Sequence, residues 1–158
     1  MHKPLILIVA VVLAGCNRYT APDCPYQDDQ LTALSAGCFS VDNGRLLLVQ
    51  GLNDKISVPG GSSEPQESAQ CTAFRETWEE TGLKLQPQEL LLVFDTGFHL
   101  YRCQRHKNSG EIDPPPRMEV QAALYLTIDD FDKYQWRYPQ QQALIKQLLR
   151  ESLAEIER

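Results

Sequence analysis

The order of apolar runs and turns predicts an α/β domain. Three observations carry that reading: short apolar runs bounded by turn residues recur along the chain, a glycine turn leads into a strongly charged helical stretch, and the C-terminus holds an apolar stripe at helical spacing. The first two strands fall at residues 37–41 and 45–50, joined by Asp42-Asn43-Gly44, a strong hairpin signal. Residues 55–58 form a short strand that runs into Pro59-Gly60-Gly61, and the charged helix follows and stops at Gly82. Three more apolar runs lie at 90–94, 98–103 and 118–128, the last two separated by a polar loop with Pro114-Pro115-Pro116. Pro139 starts the final helix, in which Leu144, Ile145, Leu148, Leu149, Leu153 and Ile156 recur every three or four residues as core packing.

The charged helix carries the chemistry. Gly61 is followed after five residues by Glu67 and after seven more by Arg75-Glu76-Thr77-Trp78-Glu79-Glu80-Thr81-Gly82-Leu83. At about 100° per residue, Glu76, Glu79 and Glu80 share about 100° of arc, with Arg75 beside them and Phe74 and Trp78 opposite. Carboxylates at this spacing repel by a few tenths of a kcal/mol per pair, so the cluster calls for something cationic. A hard divalent ion suits it, because Mg²⁺ prefers oxygen ligands and leaves positions for phosphate and water. An isolated Glu pair is usually only a solvated surface; the glycine turn before this one, through which backbone can approach an ion or a phosphate, argues for a site.

The full pattern resembles the signature box of the Nudix hydrolases. With each of seven Gly, Glu and Arg positions matching at about one in fifteen, it would arise by chance in about one chain per million. The resemblance covers residues 34–158, with the box at 61–83, and implies a mixed sheet sandwiched between helices. It implies Mg²⁺ or Mn²⁺ held by Glu76 and Glu79, with Glu80 supporting and Gly61 contributing its carbonyl. It also implies that Glu67 pairs with Arg75 to hold the loop against the helix. The reaction implied is hydrolysis of the diphosphate bond in a nucleoside diphosphate linked to another group. All the charged box positions are present; Thr77 stands where an aliphatic residue is usual. The general base varies in this family: Glu76 and Glu79 are candidates, and Glu119, just after the proline loop, is the candidate outside the box. Glu119 also reads as an exposed acid at a strand start, and His99 and His106 read as structural or surface residues. Tyr101, eighteen residues beyond Leu83, resembles a tag of Nudix enzymes that act on dinucleoside polyphosphates, and an aromatic there could stack on a base. A half-buried strand tyrosine needs no ligand to explain it. A second class stays open, a domain of this fold that binds a nucleotide or partner without turnover; the intact box argues against it.

An address precedes the domain. Lys3, the apolar run from Leu5 to Val12, and then Leu13-Ala14-Gly15-Cys16 resemble a bacterial lipoprotein signal with its lipobox. The run is too short to span a bilayer. Residues 1–15 would be removed and Cys16 lipidated, several acyl chains giving stable anchorage. Asn17 after the cysteine resembles an outer-membrane address facing the periplasm. An ordinary cleaved signal, or an apolar first strand of a cytosolic chain, are the alternatives. Residues 16–33 would form a polar tether with Pro22 and Pro25.

Composition agrees with one domain. The chain has 158 residues, with 15 Lys and Arg against 21 Asp and Glu. Without the first 15 residues it has 143, enough for one core, and about −7 in charge once Lys3 is gone. An acidic surface of this kind is not built for nucleic acid, so the partners expected are a small diphosphate and a membrane reached through lipid. Cys24, Cys38, Cys71 and Cys103 remain, an even number in a chain expected to be exported. Four cysteines allow three connectivities; a Cys38 to Cys71 bridge would pin the charged helix to the sheet, and small buried thiols are the alternative. They lack the Cys-x-x-Cys spacing of a metal site.

Overall fold

Neighbouring strand residues enter different cores. Leu46 and Leu48 pack with Phe39, Leu100, Ile145 and Leu149, whereas Leu47 packs with Ala36, Cys38, Ala69, Ala73 and Tyr101. Successive side chains on a strand point to opposite faces, so these strands need apolar residues at every position and cover on both sides. Two helices supply it: α1 (Ala69–Thr81) against one face and α2 (Gln142–Ile156) against the other. The protein is thus an α/β sandwich. The structure, a computed structural model, describes residues 21–26, 31–116 and 119–156. The apolar start with Cys16, half of the tether, and Met118 lie outside the described residues. Among these residues no helix is long and apolar enough to cross a membrane.

The strands form two four-stranded sheets. In the first, β5 (Gly60–Ser62), β1 (Ser35–Phe39), β7 (Phe98–Arg105) and β6 (Leu85–Val93) lie side by side, β1 and β7 parallel and the other pairs antiparallel. In the second, β3 (Arg45–Gly51) pairs with β2 (Val41–Asp42), β4 (Ile56–Ser57) and β8 (Val120–Leu126). The expected hairpin is present: Asp42 lies opposite Arg45 with Asn43 and Gly44 between them, both at positive φ, as a two-residue turn requires. β6 begins five residues before the apolar run that announced it. It contains Pro87, which sheets admit on an edge strand, and β6 is an edge.

The C-terminal stripe is narrower than its periodicity suggests. Ile145 and Leu149 are fully buried, but Leu144 is half-exposed and Ile156 is 72% exposed. Leu144 is turned about 100° from Ile145. Ile156 continues the buried line but falls in the last turn.

The cysteines pair as Cys24–Cys71 and Cys38–Cys103. The bridge from Cys38 to Cys71 does not form, for a geometric reason. α1 offers Ala69 and Ala73 to the sheet, and Cys71 stands about 200° from both. It points to the segment before β1, while Cys38 bonds within the sheet to Cys103 on the parallel neighbour β7. The segment before β1 also satisfies the start of α1: Ala69 N donates to Leu31 O at 2.7 Å and Ser68 Oγ to Tyr26 O at 3.4 Å.

Candidate active site

The site is built where β5 faces α1. Ser68 caps the helix, its Oγ accepting from Cys71 N at 3.3 Å. At the other end Gly82 adopts φ 74° and its N–H donates to Trp78 O. A side chain there would also run into the Asp113 backbone, which bonds Thr81 O through its own N–H at 3.1 Å. Glycine is thus needed twice, for the left-handed turn and for the proline loop that lies against it.

Between these ends Arg75 organises the charges. Its Nε donates to Glu67 Oε1 and one terminal nitrogen to Glu76 Oε1, both at 2.8 Å, and the latter also reaches Glu79 Oε2 at 3.4 Å. The other terminal nitrogen holds Glu67 Oε2 and Ser62 O, both at 2.9 Å, tying helix to loop. Glu67 further accepts from Thr72 Oγ1 and Glu64 N. Burial would raise the Glu67 carboxyl; the bonds from Arg75, Glu64 and Thr72 and the Arg75 charge outweigh it and hold it below its ordinary value. The bond to Glu67 first, then burial in opposition and the bond to Glu76, leave Arg75 raised above its ordinary value.

The remaining carboxylates are held less comfortably. Burial raises the Glu76 carboxyl despite its bond to Arg75, with Glu79 and Glu119 adding to the rise. Burial also pushes Glu80 up to about 8, with Glu76 and Glu119 raising it further, while the 2.8 Å bond from Gly60 N and the charge of Arg137 pull it down. Glu79 is itself buried. A Cβ on Gly61 would fall on the Glu76 carboxylate, so the glycine makes the cradle in which that carboxylate lies.

Arg75 is the side-chain cation that Glu67, Glu76 and Glu79 share. Among the described residues no three Asp, Glu, His or Cys side chains converge as a metal site. The donor chemistry nonetheless suits a hard cation: oxygen ligands only, partly buried, on one helix face, with Gly61 lying against Glu76.

Other expected residues fall differently. Glu119 is exposed at the start of β8 and lines a cleft of about 270 Å³ with Glu80, Lys55 and Arg137. His99 lies on β7 opposite Ala36 and Val93; His106 accepts from Asn108 N within a turn. Neither lines that cleft. Tyr101 is 2% exposed and packs with Leu47, Ala73 and the Cys38–Cys103 bridge. Its ring offers no face to a base, so substrate stacking there is corrected to core packing.

No motif marks Arg137 or Ser57 as site residues. Both line this cleft and a second one of about 210 Å³ beside Gly60 and Gly61. Their meeting depends on a bridge between Ile56 and Trp136, eighty residues apart, which no local pattern announces. The only signal was a cation between two aromatics in Trp136-Arg137-Tyr138.

A model of the NUDIX domain matches residues 31–148, three quarters of the chain. The chain belongs to the Nudix family. A MutT-like protein of Streptomyces ambofaciens is 32% identical over 101 residues, 60% of this chain and 63% of that protein. The mouse protein nucleoside diphosphate-linked moiety X motif 6 is 34% identical over 80 residues, 49% of this chain and 23% of that one. The chain therefore spans less than two thirds of the length of either relative. Its fold is similar to that of a UDP-X diphosphatase, with TM-score 0.63 at 21% identity over 77% of this Nudix chain and 64% of that one. An ADP-ribose pyrophosphatase from Streptococcus suis gives 0.61 at 22%, over 73% and 90%.

Proposed function

We propose that this Nudix protein is a divalent-metal-dependent hydrolase that cleaves the diphosphate bond of a nucleoside diphosphate linked to another group. The observation that carries it is the Glu76 carboxylate seated against Gly61 and sharing one guanidinium with Glu67 and Glu79. Three partly buried carboxylates balanced by a single arginine are poised to take a further cation. Glu76, Glu79 and Glu80, with the Gly61 carbonyl, would hold Mg²⁺ or Mn²⁺. Such an ion supplies neutralisation of phosphate charge and acidification of water. Arg75 remains anchored by Glu67 and Ser62 when Glu76 and Glu79 turn from it, so the loop keeps its place. Glu119, which lines the same cleft as Glu80, would be the carboxylate that takes a proton from attacking water. The names of the relatives and structural neighbours, a diphosphatase of UDP-X and a pyrophosphatase of ADP-ribose among them, support the diphosphate class.

The address belongs to the same proposal. Lipid attached at Cys16 would hold the domain in a bacterial envelope, on the periplasmic side of the outer membrane. Two disulfides among four cysteines suit an oxidising compartment of that kind.

The test is a panel of nucleotide-linked diphosphates incubated with the protein and Mg²⁺ or Mn²⁺, with phosphate assayed after phosphatase treatment. At least one member should be cleaved, and EDTA should stop the reaction. A panel left intact under both metals would favour a binding module without turnover, the reading consistent with Arg75 already occupying the carboxylates.

A further inference from the structure

Two clefts flank the acidic face of α1 and meet at one cation. Arg137 and Ser57 line both the first cleft, with Lys55, Glu80 and Glu119, and the second, with Gly61, Phe98 and Tyr138. At about 270 and 210 Å³ each is smaller than the roughly 300 Å³ at which small-molecule pockets usually begin. Neither suits a whole nucleotide-linked compound, but a two-part compound can lay one part in each. Its diphosphate would then lie at the junction.

The junction residue is rigidly rooted and, among the described residues, is not tied up in an ion pair. Arg137 N donates to Ile56 O at 2.8 Å, and Ile56 N to Gln135 O at 2.8 Å, so the segment is laid along a fully buried strand residue. The guanidinium lies 5.5 Å from the centre of the Tyr138 ring and makes no direct ion pair among the described residues, though its charge reaches Glu80 across the first cleft. A guanidinium carries a planar fork of donors that matches phosphate oxygens two at a time, which an ammonium cannot do. Ser57 adds a hydroxyl on the same edge. The second cleft combines the Phe98 and Tyr138 rings with polar Thr96 and Gln141, a lining suited to a planar heteroaromatic group.

We propose that Arg137 clamps the diphosphate of a two-part substrate at this junction, with a planar base against Phe98 and Tyr138 and the other linked group in the cleft of Lys55 and Glu119. The clamp rests on the hydrolase reading for its chemistry but not for its binding. It is therefore tested with ligands that cannot be cleaved: methylenediphosphonate and α,β-methylene-ADP, titrated calorimetrically with and without Mg²⁺.

Arg137→Gln should weaken methylenediphosphonate by about tenfold or more, both with and without Mg²⁺, as loss of a hydrogen bond to a charged group does. Arg137→Lys should fall between it and the parent, and covers the case in which the glutamine variant fails to fold. Glu79→Gln should lose only the Mg²⁺-dependent part. Tyr138→Ala should weaken α,β-methylene-ADP and leave methylenediphosphonate unchanged. A parent that does not bind methylenediphosphonate, or an Arg137→Gln loss of less than about threefold, overturns the clamp. Equal parent affinity for the two ligands overturns the placement of the base. If the substrate panel stays intact while the Arg137 effect holds, the hydrolase reading fails and the clamp stands. If turnover is seen without that effect, the clamp fails alone.

Discussion

Gly61 and Glu76 lie so close that a methyl group at position 61 would occupy the place of the Glu76 carboxylate. That carboxylate is the far end of a flexible side chain and can swing away, so Gly61→Ala should cost little stability, within about 1 kcal/mol. It should displace the carboxylate from its seat and lower turnover at least about a hundredfold. Thermal melting beside a turnover assay checks both. In a Glu76→Ala background Gly61→Ala should have no further effect on turnover, because the two act as one unit. A full additional loss there would show that Gly61 acts through something other than Glu76.

Glu79→Gln and Glu76→Gln should each lower turnover at least about a hundredfold, since an amide loses the charge that would hold the ion. Repulsion alone would have these variants melt higher than the parent without metal. Both residues in fact bond Arg75, and Glu76 does so at 2.8 Å, so relief of repulsion is offset by the lost pair. Near-parent turnover in either variant would remove it from the metal set.

Glu80 is a buried carboxylate whose neutralisation should stabilise. Its folded value, about 8, lies above its ordinary 4.5 because of burial. A raised value means that the folded state prefers the proton. The resulting stability is complete below about pH 4.5 and is lost as pH rises through about 8. In EDTA the parent should therefore melt lower at pH 9 than at pH 6, after other groups are accounted for with Glu80→Gln. That variant keeps an oxygen for Gly60 N and should flatten this part of the slope. Parallel pH profiles for parent and variant would show that Glu80 is not held this way.

Each disulfide closes a long loop, 47 residues for Cys24–Cys71 and 65 for Cys38–Cys103, and chain entropy alone gives about 4 kcal/mol for either. Replacing Cys38 and Cys103 with serine should be the worse change, because both lie in the core and would leave hydroxyls among apolar neighbours. Replacing Cys24 and Cys71 should chiefly free the segment that covers the start of α1. Melting with and without reductant measures the sum, and digestion without reductant should yield the two linked peptides. A linked peptide joining Cys38 to Cys71 would contradict the pairing.

Cys16→Ser should move the full chain from the detergent phase to the aqueous phase and leave hydrolysis by the soluble domain unchanged. Mass spectrometry of the parent should find an N-terminus at Cys16 carrying acyl chains. An intact residue 1–15 segment on protein from the cytosol would overturn the envelope address.

How legible the molecule was depends on the range of each contact. The hairpin at Asn43-Gly44, the Ser68 to Gly82 helix and the grouping of Glu76, Glu79 and Glu80 rest on residues close in sequence, and chain geometry alone ties them together. The disulfide pairing was not legible, because it depends on which side of α1 faces the sheet; Ala69 and Ala73 take that side and leave Cys71 to Cys24. The clefts were hidden for a similar reason. Their shared residues, Ser57 and Arg137, come together through the long-range Ile56 to Trp136 bridge. Leu144 and Ile156 fit the helical period but lie at the margin and the end of the buried face.

Two tyrosines bear on the substrate, and the structure separates them. Tyr101, the one suggested by spacing, is buried with the Cys38–Cys103 bridge, whereas Tyr138 is 39% exposed and lines a cleft beside Gly60 and Gly61. Tyr101→Ala removes a large ring from a closed core and should cost about 3 kcal/mol or more. It should lower the melting temperature and reduce activity by the same factor on substrates with and without a base. Tyr138→Ala should leave the melting temperature within a few degrees, raise KM for base-bearing diphosphates, and spare those without a base. Reciprocal behaviour, with Tyr101→Ala selective for the base and Tyr138→Ala indifferent to it, would require the base to reach the α1 side of the sheet. It could do so only if the packing of Leu47, Ala73 and Tyr101 opened.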